Sequence, residues 1–120
     1  MFRDIARGYA LGRVAASTRA TYERAWRMWV EWREWRKKSC WLDARMSEAE
    51  LVEELVEFMA YCCAVRGNKE TTVAGKMVAV NFSHEQWVGL SLPLNHFRIK
   101  AVREGIKRAH VDGGTQQRGR

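Results

Sequence analysis

Between Ser17 and Lys38, Tyr22, Ala25, Trp26, Trp29 and Trp32 recur at the period of an α-helix, and no other feature constrains the fold as much. A stripe this bulky must be buried, so the helix that carries it needs neighbours with stripes of their own. Arg24, Arg27, Glu31 and Lys38 fall on its opposite face. Ser17 and Thr18 are good N-caps, and the basic run Arg36-Lys37-Lys38 suits the negative end of the helix dipole.

Three further segments supply the neighbours. Ser47 and Glu50 form a capping-box pattern and Gly67 is a natural stop, which bounds a second helix with the stripe Leu51, Leu55, Phe58, Met59, Cys62 and Val65. A third helix is expected from just after Asn68 to about Trp87, before Gly89, with Val73, Met77, Val80, His84 and Trp87 on one face. A loop from Gly89 to Pro93 follows. Asn95 is the expected cap of a last helix lined by Ile99, Val102, Ile106 and Ala109. From Val111 to Arg120 the chain is Gly-, Gln- and Arg-rich without periodicity, and reads as a linker. Before Ser17, Phe2, Ile5, Ala6 and Tyr9 fall at helical spacing, with Gly8 and Gly12 interrupting.

The expected architecture is therefore all-α: a compact bundle of four main helices, with a short fifth helical pattern at the N-terminus. Residues 1–16 form an extension, 17–110 the helical domain and 111–120 the start of a linker. The chain has 120 residues, 47% of them hydrophobic, with six Trp and one Pro, which suits a single packed core and not a disordered chain.

Cys40, Cys62 and Cys63 are odd in number and include an adjacent pair, so they do not outline a disulfide framework. A reducing, intracellular setting is expected. No apolar run reaches the roughly 18 residues of a membrane span, and no signal-peptide pattern opens the chain.

The formal net charge is +7, which suits a polyanionic partner and equally suits a merely soluble basic surface. Its distribution is more informative. Residues 17–38 hold seven bases and three acids, residues 98–120 seven bases and two acids, and residues 47–58 five acids and no base. Local sums of +4, +5 and −5 follow. The simplest arrangement turns the acidic helix away from a phosphate backbone and the two basic helices toward it.

The ordered signals carry a resemblance. Ser17-Thr18 opens a helix reading Ser-Thr-x-x-Thr-Tyr-x-x-x-Trp-x-x-Trp-x-x-Trp. A capped, glutamate-rich helix follows and ends in Arg66-Gly67. Then come Asn68-Lys-Glu-Thr-Thr-Val73, a helix containing Val80-Asn81-Phe82-Ser83-His84, and a last helix with Val102-Arg-Glu-Gly-Ile-Lys-Arg108. Over about residues 17–113 this set resembles the core-binding, SAM-like domain of tyrosine recombinases, the phage-integrase family. The Trp series is heavier than that family usually carries, and the segment before Ser17 has no counterpart in it.

The resemblance implies binding of double-stranded DNA within an enzyme of DNA integration and recombination that oligomerises on its site. It assigns no strand cleavage to this chain, whose residues do not supply the family's catalytic set. It places the N-terminal parts of the first and third helices in or beside the major groove, at Thr18, Arg19 and Tyr22, and at Lys69, Thr71, Thr72 and Lys76, with Gly75 among them. Lys107 and Arg108 are expected to meet phosphate near the linker.

Each candidate has a plainer reading. Thr71 and Thr72 can be first-turn caps, Arg19 and Lys76 solvated bases, and Tyr22 a core residue. Gly105 is read as permitting close helix packing, His84 as a hydrogen-bonded core histidine, and Trp26 and Trp29 as core instead of a stacking platform. No catalytic residue, metal ligand set or cofactor motif is assigned, since the Cys and His spacings match no zinc site. The competing function is a helical protein-interaction module with an incidental basic surface, and an enzyme would need a pocket with converging polar groups.

Overall fold

The computed structural model describes residues 16–118, and four helices account for most of them: α1 (Ala16–Trp35), α2 (Glu48–Ala64), α3 (Glu70–Val88) and α4 (Phe97–Arg118). The described residues form the all-α bundle expected, with no strand among them. The N-terminal helical pattern lies outside the described residues. α1 packs on α3, α2 on α3 and α4, and α3 on α4, which gives one shared core.

Local chemistry sets most boundaries. Ser47 Oγ accepts from the Glu50 N–H at 3.1 Å while Glu50 Oε1 accepts from the Ser47 N–H at 2.8 Å, the reciprocal capping box foreseen for α2. Gly67 follows that helix in the left-handed region at φ +69°, where a residue without Cβ is unstrained.

α1 stops at Trp35, three residues earlier than the periodicity suggested. Lys37 takes a left-handed conformation at φ 60°, its N–H donates to Glu34 O at 2.9 Å, and the Lys38 N–H donates to Arg33 O at 2.8 Å. These bonds form a Schellman closure with lysine where glycine is usual. α4 starts on His96, not Asn95. The Lys100 N–H donates to His96 O and the Arg98 N–H to the His96 ring Nδ1, each at 3.1 Å. At its other end the backbone stays helical to Arg118, through the stretch read as an aperiodic linker. A helix already nucleated extends at small cost per residue, even across Gly113-Gly114.

The core is built on Trp29, which is fully buried and meets Phe58 edge-on at a ring separation of 5.0 Å. Leu55, Met59, Val73, Met77, Val80 and Ile99 close around it. His84 is buried as expected, with Nδ1–H donating to Val80 O at 2.9 Å and Nε2 accepting from the Leu42 N–H at 3.0 Å. Burial lowers its pKa below the ordinary 6.5, against the Val80 bond, and the Arg33 charge adds to the lowering.

Several residues leave their expected faces. Val65 lies one residue past the end of α2 and is 69% exposed, and Trp87, in the last turn of α3, is 43% exposed. Ala109 is exposed on α4. Trp26 is only half-buried. A Cβ added at Gly105 would meet nothing within 4 Å, so this glycine does not serve close packing.

Candidate nucleic-acid interface

The −5 helix is not turned away from the basic ones. α2 runs between them, and all five of its carboxylates are engaged within the fold. Glu50 closes the capping box. Glu54 takes Arg33 and, at 3.3 Å, Lys38. Glu57 takes Arg36 at 3.0 Å, Glu53 takes Arg98, and Glu48 lies 3.9 Å from His96. The charge separated along the sequence is thus interleaved in space. Partial burial pushes the Glu54 pKa up, but the hydrogen bonds and charges of Arg33 and Lys38 outweigh it and hold the carboxyl below its ordinary value.

Arg33 is itself buried. Its Nε donates to Ser39 O at 2.7 Å and its guanidinium lies 5.3 Å from the Trp29 ring centroid. It locks the end of α1 to the loop that follows, so its charge is not offered to a ligand.

The bases left without a carboxylate partner among the described residues then matter most. Arg66 and Lys69 lie where α2 ends and α3 begins, and Lys76 lies in the second turn of α3. Lys69 is the N-cap of α3 and exposed, with an extended backbone but no side-chain cap bond, so the first-turn N–H groups of α3 have no side-chain acceptor. Thr71 and Thr72 are exposed beside it and neither hydroxyl serves as its cap. Burial pushes the pKa of the Cys62 thiol up to about 12, and the charges of Lys76 and Arg66 oppose the rise.

α4 reaches this corner through Arg103, which donates to Glu70 Oε2 at 2.8 Å from Nε and lies 2.7 Å from it through Nη2. Lys107 lies one helical turn beyond Arg103 and exposed, on the same flank. Arg108 is rotated about 140° from Arg103 round the helix and belongs to another side.

Thr18 and Arg19 are not brought to the same place. Arg19 shares a groove with Phe82, Ser83 and Trp87, against the C-terminal half of α3. Thr71 and Trp87 lie about 24 Å apart along the helix axis, at 1.5 Å per residue. The candidates therefore form two groups at opposite ends of α3. Reading along the chain missed Arg66, although it directly precedes the Gly67 stop and so lies at the junction with α3.

Among the described residues, no group of three His, Cys, Asp or Glu could hold a metal ion, and no helix is long and apolar enough to cross a membrane. Cys40, Cys62 and Cys63 are free. No protein-family model, curated protein or solved structure matches the chain.

Proposed function

We propose that this chain binds double-stranded DNA as the core-binding domain of a tyrosine recombinase, through the start of α3 and the adjoining flank of α4. The observation that supports this reading is the start of α3 at Lys69: a helix N-terminus without a side-chain cap, preceded by Arg66, followed by Lys76 in the second turn, and flanked through the Arg103–Glu70 contact by the α4 side that carries Lys107, none of these bases paired with a described carboxylate. Backbone N–H groups there can donate to phosphate oxygens, the threonine hydroxyls add donors, and the lysines displace condensed counterions. Arg19 and Thr18 offer a second, separate backbone contact. The recombinase context rests on the resemblance, which gives strand cleavage to a catalytic domain of its own and leaves this one to hold the duplex, inside the cell, in an enzyme that oligomerises on its site.

Titration of a fluorescent duplex over a series of salt concentrations tests the reading. Non-specific affinity in the range of about 10⁻⁴ to 10⁻⁶ M is expected, falling steeply with salt. Lys76→Ala and Lys107→Ala should each weaken it and flatten the log–log slope by about 0.9. Absence of salt-dependent binding at low ionic strength overturns it. The rival reading, a protein-interaction module, draws on the exposed Trp35 and Phe97, at 73% and 77% of their surfaces, and would then take its place.

A further inference from the structure

A groove of ≈ 650 Å³ runs between α1 and the C-terminal half of α3, about 24 Å along the helix from the Lys69 corner. This volume lies in the range of small-ligand clefts, about 300–1,000 Å³. Its walls are aromatic, with Tyr22, Trp26 and Trp41 prominent, and Arg19 and Arg27 line it with one acid, Glu23, between them on α1, so bases outnumber acids there by one. Both arginines are exposed and neither has a carboxylate partner among the described residues.

Trp41 is the telling residue. It belongs to a loop, yet the backbone on both sides of it is clamped. The Trp29 indole N–H donates to Cys40 O at 2.7 Å, and the Leu42 N–H donates to the buried His84 at 3.0 Å. Its own N–H donates to Ser39 Oγ at 3.0 Å. The ring rests on Trp26, with centroids 4.9 Å apart, and on the edge of His84 at 5.3 Å, and still keeps 37% of its surface exposed. Core residues thus hold an aromatic ring rigidly at the wall of an open groove, which lowers the entropic cost of stacking something on it.

We propose that this groove takes an unpaired nucleotide of a DNA strand, the base stacked on the Trp41–Trp26 wall and the flanking phosphate held by Arg27. Aromatic faces accept any base, and a guanidinium at the rim supplies the charge that a purely apolar cleft would lack. The groove has no glycine-rich loop to cradle the polyphosphate of a free nucleotide. The proposal rests on the nucleic-acid reading but uses Trp41 and Arg27, away from the Lys69 corner, and a different form of DNA, so the two fail separately.

The test is titration of the full chain with a short oligothymidylate, read by tryptophan fluorescence, beside a blunt duplex and the same duplex with a single-stranded overhang. Saturable quenching by the single strand and tighter binding of the overhang duplex are expected. Trp41→Ala should weaken single-strand binding about 10-fold, equivalent to ~1.4 kcal/mol. Arg27→Ala should weaken it less, and Trp41→Phe should restore most of it, while blunt-duplex affinity stays unchanged in all three. Melting curves identify any variant that fails to fold, and Arg27→Ala, altering an exposed side chain, keeps the question open to decision in that case. Single-strand binding indifferent to both Trp41→Ala and Arg27→Ala overturns the proposal. So does absence of quenching, whether the groove is filled by another segment of the chain, by a second copy or by a protein. Loss of blunt-duplex binding alone would sink the Lys69 corner and leave the groove standing.

Discussion

The seam between α1 and α2 and the start of α3 treat charge in opposite ways. Along the seam Glu54 and Glu57 meet Arg33, Lys38 and Arg36, on the other side of α2 Glu53 and Glu48 meet Arg98 and His96 at the start of α4, and the helix start is closed by Ser47 and Glu50. Twenty-odd residues later, α3 is capped by a lysine that makes no side-chain cap bond, and neither this Lys69 nor the preceding Arg66 has a carboxylate partner among the described residues. The first arrangement stabilises the fold and leaves little for a ligand. The second leaves folding energy unused and donors unoccupied. Stability and binding are thereby assigned to different ends of one bundle, and substitutions should separate them.

The largest effect belongs to the seam. Trp29→Ala removes the fully buried ring that packs on Phe58 and holds Cys40 O, and should cost about 3–5 kcal/mol in chemical denaturation. A loss below about 1 kcal/mol would mean that the core can close over the gap, contrary to the packing described. Next comes Arg33→Ala, which leaves the part-buried Glu54 only Lys38 and frees Ser39 O, with an expected cost of about 1.5–3 kcal/mol. Glu57→Gln, at an exposed pair, should stay within about 1 kcal/mol. Neither Glu57→Gln nor Glu53→Gln should weaken duplex binding. If either did so as strongly as Lys76→Ala, the contrast between the two regions would fail.

Acid should act on the core through His84 of α3. Its folded pKa is depressed, so below the ordinary value of 6.5 the unfolded chain takes up a proton that the folded chain refuses. The stability this imidazole contributes is complete above 6.5 and is lost as pH falls from there toward the folded value. Protonated Nε2 could no longer accept from Leu42. Denaturation midpoints measured between about pH 8 and pH 5 should therefore fall more steeply for the wild type than for His84→Leu. Parallel curves would show that the imidazole is not coupled to folding.

How much of this was legible along the chain follows from the range of each interaction. The stripes of α2 and α3, the capping box and the Gly67 stop are local, and periodicity and turn chemistry reported them. The fate of the charges was not local. Glu54 and Arg33 lie 21 residues apart and Glu53 and Arg98 lie 45 apart, so a sum over neighbours could not see either pair. The same holds for Trp41 and Leu42. They sit in an aperiodic loop and are placed by hydrogen bonds to Trp29 and His84, whose partners no spacing rule identifies. Trp87 continues the stripe of α3 and is still 43% exposed, because a stripe tells which residues share a face and not how far the neighbouring helices reach along it.

The smallest expected effect is the sharpest test of the comparison, because it changes one region into the other. Lys69 already has the extended backbone of an N-cap, at φ −74° and ψ 164°, and lacks only a short side-chain acceptor. Lys69→Ser would supply one, and its hydroxyl could accept from the N–H of Thr71 or Thr72 as Ser47 accepts from Glu50. The fold should gain about 1 kcal/mol, the usual worth of a cap. Duplex affinity should fall, and by more than in Lys69→Ala, since the serine both removes a charge and occupies donors that alanine leaves open. Equal losses in the two variants would show that phosphate meets the lysine but not the helix start. A stability gain with affinity unchanged would show that the uncapped N-terminus of α3 is an unoptimised helix end and not a binding surface.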